Sequence, residues 1–257
     1  MIGRPVITAF ANVSLAQLTL VAGVALFASV VGGVAGYGTG ALMPLVLVPM
    51  VGPEPVVPII AISALLTNTS RTIAFRAHVN RRSAAIVLAA SIPPCILSAY
   101  GYTRLTSGGA MLVIGAMLMA TVPLRYLLKK HAVVFGERGL ALGAVAYGIA
   151  VGGTVGSGVI LLSILMAAGL QGAAVIATDA AISIVIGIVR LTVFGVAGAV
   201  TPQVIAFALL IGLIAFPGAF LARAFVERLP VHVHTAALDA VVLFGGAFMV
   251  IGAFTAR

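Results

Sequence analysis

Gly32-Gly33-Val34-Ala35-Gly36-Tyr37-Gly38-Thr39-Gly40 is the stretch whose reading decides the fold, because its glycines stand inside an otherwise unbroken apolar run. Glycine costs about 1 kcal/mol per position relative to alanine inside a helix. The cluster therefore marks a place where the backbone leaves the helix and exposes its own N–H and C=O groups. A second copy, Gly152-Gly153-Thr154-Val155-Gly156-Ser157-Gly158, carries glycines at the positions matching Gly32, Gly33, Gly36 and Gly38. The chain reads as a duplication, with residues 1–135 as the first repeat of a transmembrane domain and residues 136–257 as the second.

The residues around the clusters are those of a membrane protein. Over 257 residues the chain is 62% hydrophobic and only 7% charged, with a mean hydropathy of +1.28. About a quarter of the residues of a soluble globular domain are charged, so that class is excluded. Long continuous apolar runs without a period of two favour helical spans over a β-barrel. The net charge of +9, from 14 Lys+Arg against 5 Asp+Glu, is read as anchoring of cytoplasmic loops and not as a nucleic-acid surface. Cys95 lies alone in an apolar segment, where packing is its expected role. Arg4 and the apolar run after it imitate a signal peptide, but no polar mature region follows, so the run is expected to be a retained span.

A helical span needs about 20 apolar residues. That length predicts spans over 14–32, 55–75, 83–102, 108–128, 139–153, 173–195, 202–222 and 236–254. Two shorter apolar pieces, 41–51 and 159–169, directly follow the glycine clusters and predict half-helices. Downstream the halves correspond again: Arg71-Thr72-Ile73-Ala74-Phe75 matches Arg190-Leu191-Thr192-Val193-Phe194, and Gly115-Ala116-Met117 resembles Gly246-Ala247-Phe248. Each cluster is either a break in one crossing helix, giving parallel halves, or the tip of a hairpin, giving inverted halves. With hairpins, Arg76, Arg81, Arg82, Arg125, Lys129, Lys130, Arg138, Arg223 and Arg228 share one side and only Arg104 opposes them. With breaks, Arg223 and Arg228 join Arg104 on the other side. The positive-inside rule thus favours inverted repeats with both termini outside. The expected fold class is an all-α polytopic membrane protein of two inverted repeats, each a glycine-broken helix or helical hairpin plus three further spans.

Charges within spans are the candidates for function, since each costs at least about 2.5 to 3.5 kcal/mol to insert. Arg71 and Arg190 occupy matching positions, and Thr67-Asn68-Thr69-Ser70 gives Arg71 a polar turn of neighbours. The bland alternative is that both arginines snorkel to the interface. Asp179 is the one acid placed inside a span. It can pair with Arg190 eleven residues on, serve in proton coupling, or simply sit as a favourable charge near the start of its helix. His78, His131, His232 and His234 lie in or beside loops and form no metal set with Cys95, so neither a metal nor a cofactor is expected.

Three chemistries compete for the glycine clusters. A glycine break followed by a half-helix offers free N–H groups and a positive dipole end, which suits an oxyanion. Val34-Ala35-Gly36-Tyr37-Gly38 and Thr154-Val155-Gly156-Ser157-Gly158 also approximate a potassium filter, but a filter follows a short pore helix and precedes a full span, the reverse of the order here. A serine protease on Gly156-Ser157-Gly158 needs a deep histidine, and none is available. The expected anion site comprises Gly36, Tyr37, Gly38, Thr39, Gly40, Asn68, Arg71, Gly156, Ser157, Gly158 and Arg190, with Asp179 as a coupling group.

These residues resemble the sulfite exporter TauE/SafE family of membrane permeases over nearly the whole chain. Gly33, Gly36, Gly38, Gly40 and Pro44 resemble its glycine pattern, Phe75-Arg76-Ala77-His78-Val79-Asn80-Arg81-Arg82 its basic loop, and Gly218-Ala219-Phe220-Leu221-Ala222-Arg223 through Leu229-Pro230 its second-half signature. Thr39 stands where the family usually has glycine, Pro44 follows Gly40 one residue early, and Val159-Ile160 replace glycines in the second cluster. The resemblance implies a divergent member, a non-enzymatic secondary transporter of sulfite, sulfoacetate or a similar small anion. It implies export across the prokaryotic cytoplasmic membrane, with the lipid bilayer and the anion as partners and no nucleic acid. Proton coupling, uniport and a homodimer are each compatible with it. The alternatives are an ion channel, an uptake permease for another small organic anion, or a membrane-embedded enzyme.

Overall fold

The structure, a computed structural model, describes residues 10, 13–35, 39–130, 136–218, 220–221 and 231–255. Among these it contains helices and no strand: α1 Leu15–Ala35, α2 Thr39–Val51, α3 Val56–Phe75, α4 Arg81–Tyr102, α5 Ser107–Lys130, α6 Glu137–Gly153, α7 Gly158–Ala167, α8 Ala173–Val196, α9 Pro202–Ala215 and α10 Val231–Thr255. A 3₁₀ turn, Arg76–His78, follows α3. Among the described residues, four of the eight expected spans are helices long and apolar enough to cross a membrane, at Val56–His78, Arg81–Tyr102, Ser107–Leu124 and Ala173–Val196. The half-helices after the glycine clusters are α2 and α7, of 13 and 10 residues. The span expected over 202–222 is instead shorter: α9 stops at Ala215 and the chain turns at Phe216 and Pro217. Pro217-Gly218 is a turn signal that the surrounding hydropathy hid.

Small residues let the helices touch backbone to backbone, the usual basis of helix association where lipid removes the hydrophobic driving force. On the α4–α6 face, a Cβ on Gly153 would come within 2.9 Å of the Ser98 carbonyl oxygen. Between α5 and α10, a Cβ on Gly115 would lie 2.8 Å from the Gly246 carbonyl oxygen, and one on Gly246 would lie 2.9 Å from that of Gly115. Outward-facing Leu97, Leu142, Phe244, Phe248 and Ile251 are exposed large apolar side chains suited to lipid tails.

The pairing of helices is unchanged when α1–α5 are exchanged for α6–α10 in order. α4 packs on α6 as α9 packs on α1, α3 on α9 as α8 on α4, and α5 on α7 as α10 on α2, while α3 meets α8 and α5 meets α10. Both of these last crossings are antiparallel. Gly187 packs on Ala61 and Leu65 in the first half of α3, whereas the earlier Asp179 reaches Arg71 near its end. Likewise Gly108 approaches Ala253, Gly115 approaches Gly246, and the Tyr126 hydroxyl donates to Asp239. Two apolar cores result, one built on α1, α2, α3, α5 and α9 with residues of α4, α7, α8 and α10, the other joining α6, α7 and α8 with α4.

The second glycine cluster is the tip of a hairpin. Ile164 of α7 folds back against Gly143 of α6, with Thr154–Ser157 between the two helices. Gly156 has φ +78°, a left-handed conformation that other residues adopt only at a cost, so this glycine makes the reversal.

Candidate anion site

A cavity of about 140 Å³ lies where α3 and α8 cross, beside the hairpin tip. The spacing of three to four residues that defines one helix face explains which side chains meet there. From α3 come Ile60, Ala61, Ala64, Thr67, Asn68 and Arg71; from α8 come Asp179, Ser183, Ile186, Gly187 and Arg190. The N-terminal end of α2 and the hairpin tip leading into α7 add Thr39, Gly40, Gly156, Ser157 and Gly158, and α1 and α6 contribute Ser29 and Tyr147. The first N–H groups of any helix lack a partner within it, so the ends of α2 and α7 bring donors and positive dipole ends to the cavity. Gly40 must pass close to the tip: a Cβ there would meet the Gly156 nitrogen at 3.0 Å.

The two arginines are held differently. Arg71 Nη2 lies 3.0 Å from Asp179 Oδ2, and its Nη1 donates to Asn68 Oδ1 at 3.3 Å. Arg190 is only 7% exposed, and its Nη2 donates to the Thr154 carbonyl oxygen at 3.1 Å. Its guanidinium also lies 5.7 Å from the Phe194 ring centre, a contact worth about 0.5 to 2 kcal/mol. Its Nε has no partner. Among the described residues no carboxylate pairs with Arg190, although an unpaired buried cation costs several kcal/mol.

Thr39, Gly40, Asn68, Arg71, Gly156, Ser157, Gly158, Arg190 and Asp179, singled out from the sequence, all line this one cavity. Gly36, Tyr37 and Gly38 lie outside the described residues. Three readings are corrected. Asp179 pairs with Arg71 across two helices and not with Arg190, from which three turns, or about 16 Å of rise, separate it on its own helix. It is the seventh residue of α8, which begins at Ala173, and so is not a first-turn charge. Arg190 turns into the cavity and does not snorkel. Tyr147 and Ser183 are lining residues that the sequence reading missed, and Thr67 and Thr154, noted beside Arg71 and in the second glycine cluster, also line the cavity. Ser183 lies one turn from Asp179 on the face that carries Arg190, a spacing that makes it findable.

Apolar spanning helices, a half-helix hairpin and a cationic cavity between the halves define a membrane permease. The chain belongs to the sulfite exporter TauE/SafE family, whose model matches residues 21–249. No curated protein and no solved structure gives a significant match.

Proposed function

We propose that the protein is a secondary transporter that exports a small sulfur oxyanion or organosulfonate, such as sulfite or sulfoacetate, across the prokaryotic cytoplasmic membrane. The observation that carries this reading is Arg190: a buried guanidinium with an unpartnered Nε, turned into a cavity that also receives helix N-terminal donors. An oxyanion there accepts charge-assisted hydrogen bonds from Arg190 while backbone N–H groups fix its remaining oxygens. A volume of about 140 Å³ admits a small anion with part of its hydration or a short apolar stem.

The halves are read as inverted repeats with both termini outside. The antiparallel crossings of α3 with α8 and α5 with α10 support that arrangement, as does the exchange of helix pairings between the halves. Alternating access then amounts to rocking of one half against the other around the cavity. Outward movement of an anion under a negative-inside potential gains about 2.3 kcal/mol per charge per 100 mV, which is sufficient drive for uniport.

Sulfite efflux from loaded proteoliposomes tests the reading. Flux is expected to saturate with sulfite concentration, and Arg190→Gln is expected to reduce it by about a hundredfold, the loss of two charge-assisted bonds. Wild-type flux through a folded Arg190→Gln protein contradicts the assignment.

A further inference from the structure

We propose that the Asp179 carboxylate is a built-in competitor of the transported anion: the anion loads by displacing Asp179 from Arg71 and leaves as the pair re-forms. The inference rests on the reading of the cavity as an anion site.

The two matching arginines differ in one respect that decides this. Position 60, which corresponds to Asp179 at the 119-residue offset between Arg71 and Arg190, is Ile60, so only the first-half arginine has a carboxylate. The pair that results is incomplete. Arginine and carboxylate bind best through two parallel bonds. Here Arg71 reaches Asp179 Oδ2 through Nη2, while Arg71 Nε and Asp179 Oδ1 both lack partners. Asp179 itself is 3% exposed, so its second oxygen is buried without compensation. Both residues line the cavity, and an entering oxyanion meets at Arg71 the kind of ligand already there.

Displacement has a functional consequence. An anion held by two free buried arginines would bind tightly and leave slowly, whereas a tethered carboxylate weakens binding and drives release by reclaiming Arg71. The pair also joins α3 to α8, the helices that cross between the halves, so loading loosens this crossing and release restores it.

Titration of purified, full-length protein with sulfite tests the proposal on Asp179→Asn, Arg71→Gln, Asp179→Asn/Arg71→Gln and Arg190→Gln. Asp179→Asn is expected to lower the sulfite Kd about tenfold, the value of one charge-assisted bond. In efflux it is expected to lower KM and kcat together, because tighter binding slows departure. The gain is expected to vanish in the Arg71→Gln background, since displacement acts only through that guanidinium. Asp179→Ala removes the same competitor and serves where the amide variant does not fold.

An unchanged or higher Kd in Asp179→Asn overturns the proposal. So does an equal gain in the Arg71→Gln background, which would mark a field effect of the lost charge. Loss of sulfite binding in Arg190→Gln beside an unchanged Asp179→Asn rejects displacement and leaves the anion site standing. Intact binding in Arg190→Gln beside the expected Asp179→Asn gain does the reverse, keeping displacement and rejecting the central role of Arg190.

Discussion

Arg190 and Arg71 are matching charges in matching spans, and Arg71, with the polar turn Thr67-Asn68-Thr69-Ser70 before it, had the stronger case in the sequence; the structure gives the two different neighbours. One is paired with Asp179; the other has a carbonyl, a ring and an open Nε. The cost of inserting charge into a span singled out both as candidates, and the glycine clusters singled out Gly40, Gly156, Ser157 and Gly158, which line the same cavity. The partner of Asp179 was not legible, because a pairing across two helices depends on their crossing point and leaves no spacing in the chain. Tyr147 was hidden for a related reason: an aromatic residue in an apolar helix looks the same in sequence whether it faces a core, lipid or a cavity. The hairpin tip gives a prediction at this scale. Gly156→Ala places a side chain at φ +78° and 3.3 Å from Thr121 Oγ1. A loss of about 1–2 kcal/mol is expected, read as a lower unfolding midpoint in detergent, with impaired efflux. An unchanged midpoint would show that the turn does not need glycine.

At the scale of elements, hydropathy located the helices well because length and apolarity are the two quantities that a bilayer constrains. The half-helices α2 and α7 were visible as apolar pieces too short to cross, and the glycines before them as the cause. Whether the clusters were breaks or hairpin tips rested on a few loop cations. For the second cluster, the contact of Ile164 with Gly143 identifies a hairpin. The end of α9 at Ala215 was missed because two residues, Pro217 and Gly218, lower the hydropathy average of a span-length window only slightly. Helix contacts were less visible, since glycine serves close packing and backbone turns alike. Gly115 serves the first: with Gly246 it holds α5 against α10. Gly115→Ala puts a methyl group 2.8 Å from a carbonyl oxygen, so a loss of about 1–3 kcal/mol is expected in the same unfolding measurement. Full stability in that variant would mean that α5 and α10 separate at little cost.

Over the whole molecule, the two halves are interleaved. Each apolar core draws helices from both halves, and the cavity forms where α3 and α8 cross between them. The matching landmarks along the sequence do not reveal this exchange of helices, because side-chain pattern reports which face is buried and not which helix covers it. Selenite offers the most direct test of the central claim, that the transported anion binds at Arg190 in this cavity. It shares the pyramidal shape and charge of sulfite, and selenium scatters anomalously. Crystals grown with selenite, which should also compete with sulfite for efflux, are expected to show an anomalous peak within hydrogen-bonding reach of the Arg190 guanidinium and beside the α7 N-terminus. A peak elsewhere in the protein, with the Arg190 cavity empty while selenite still competes for efflux, would contradict the account.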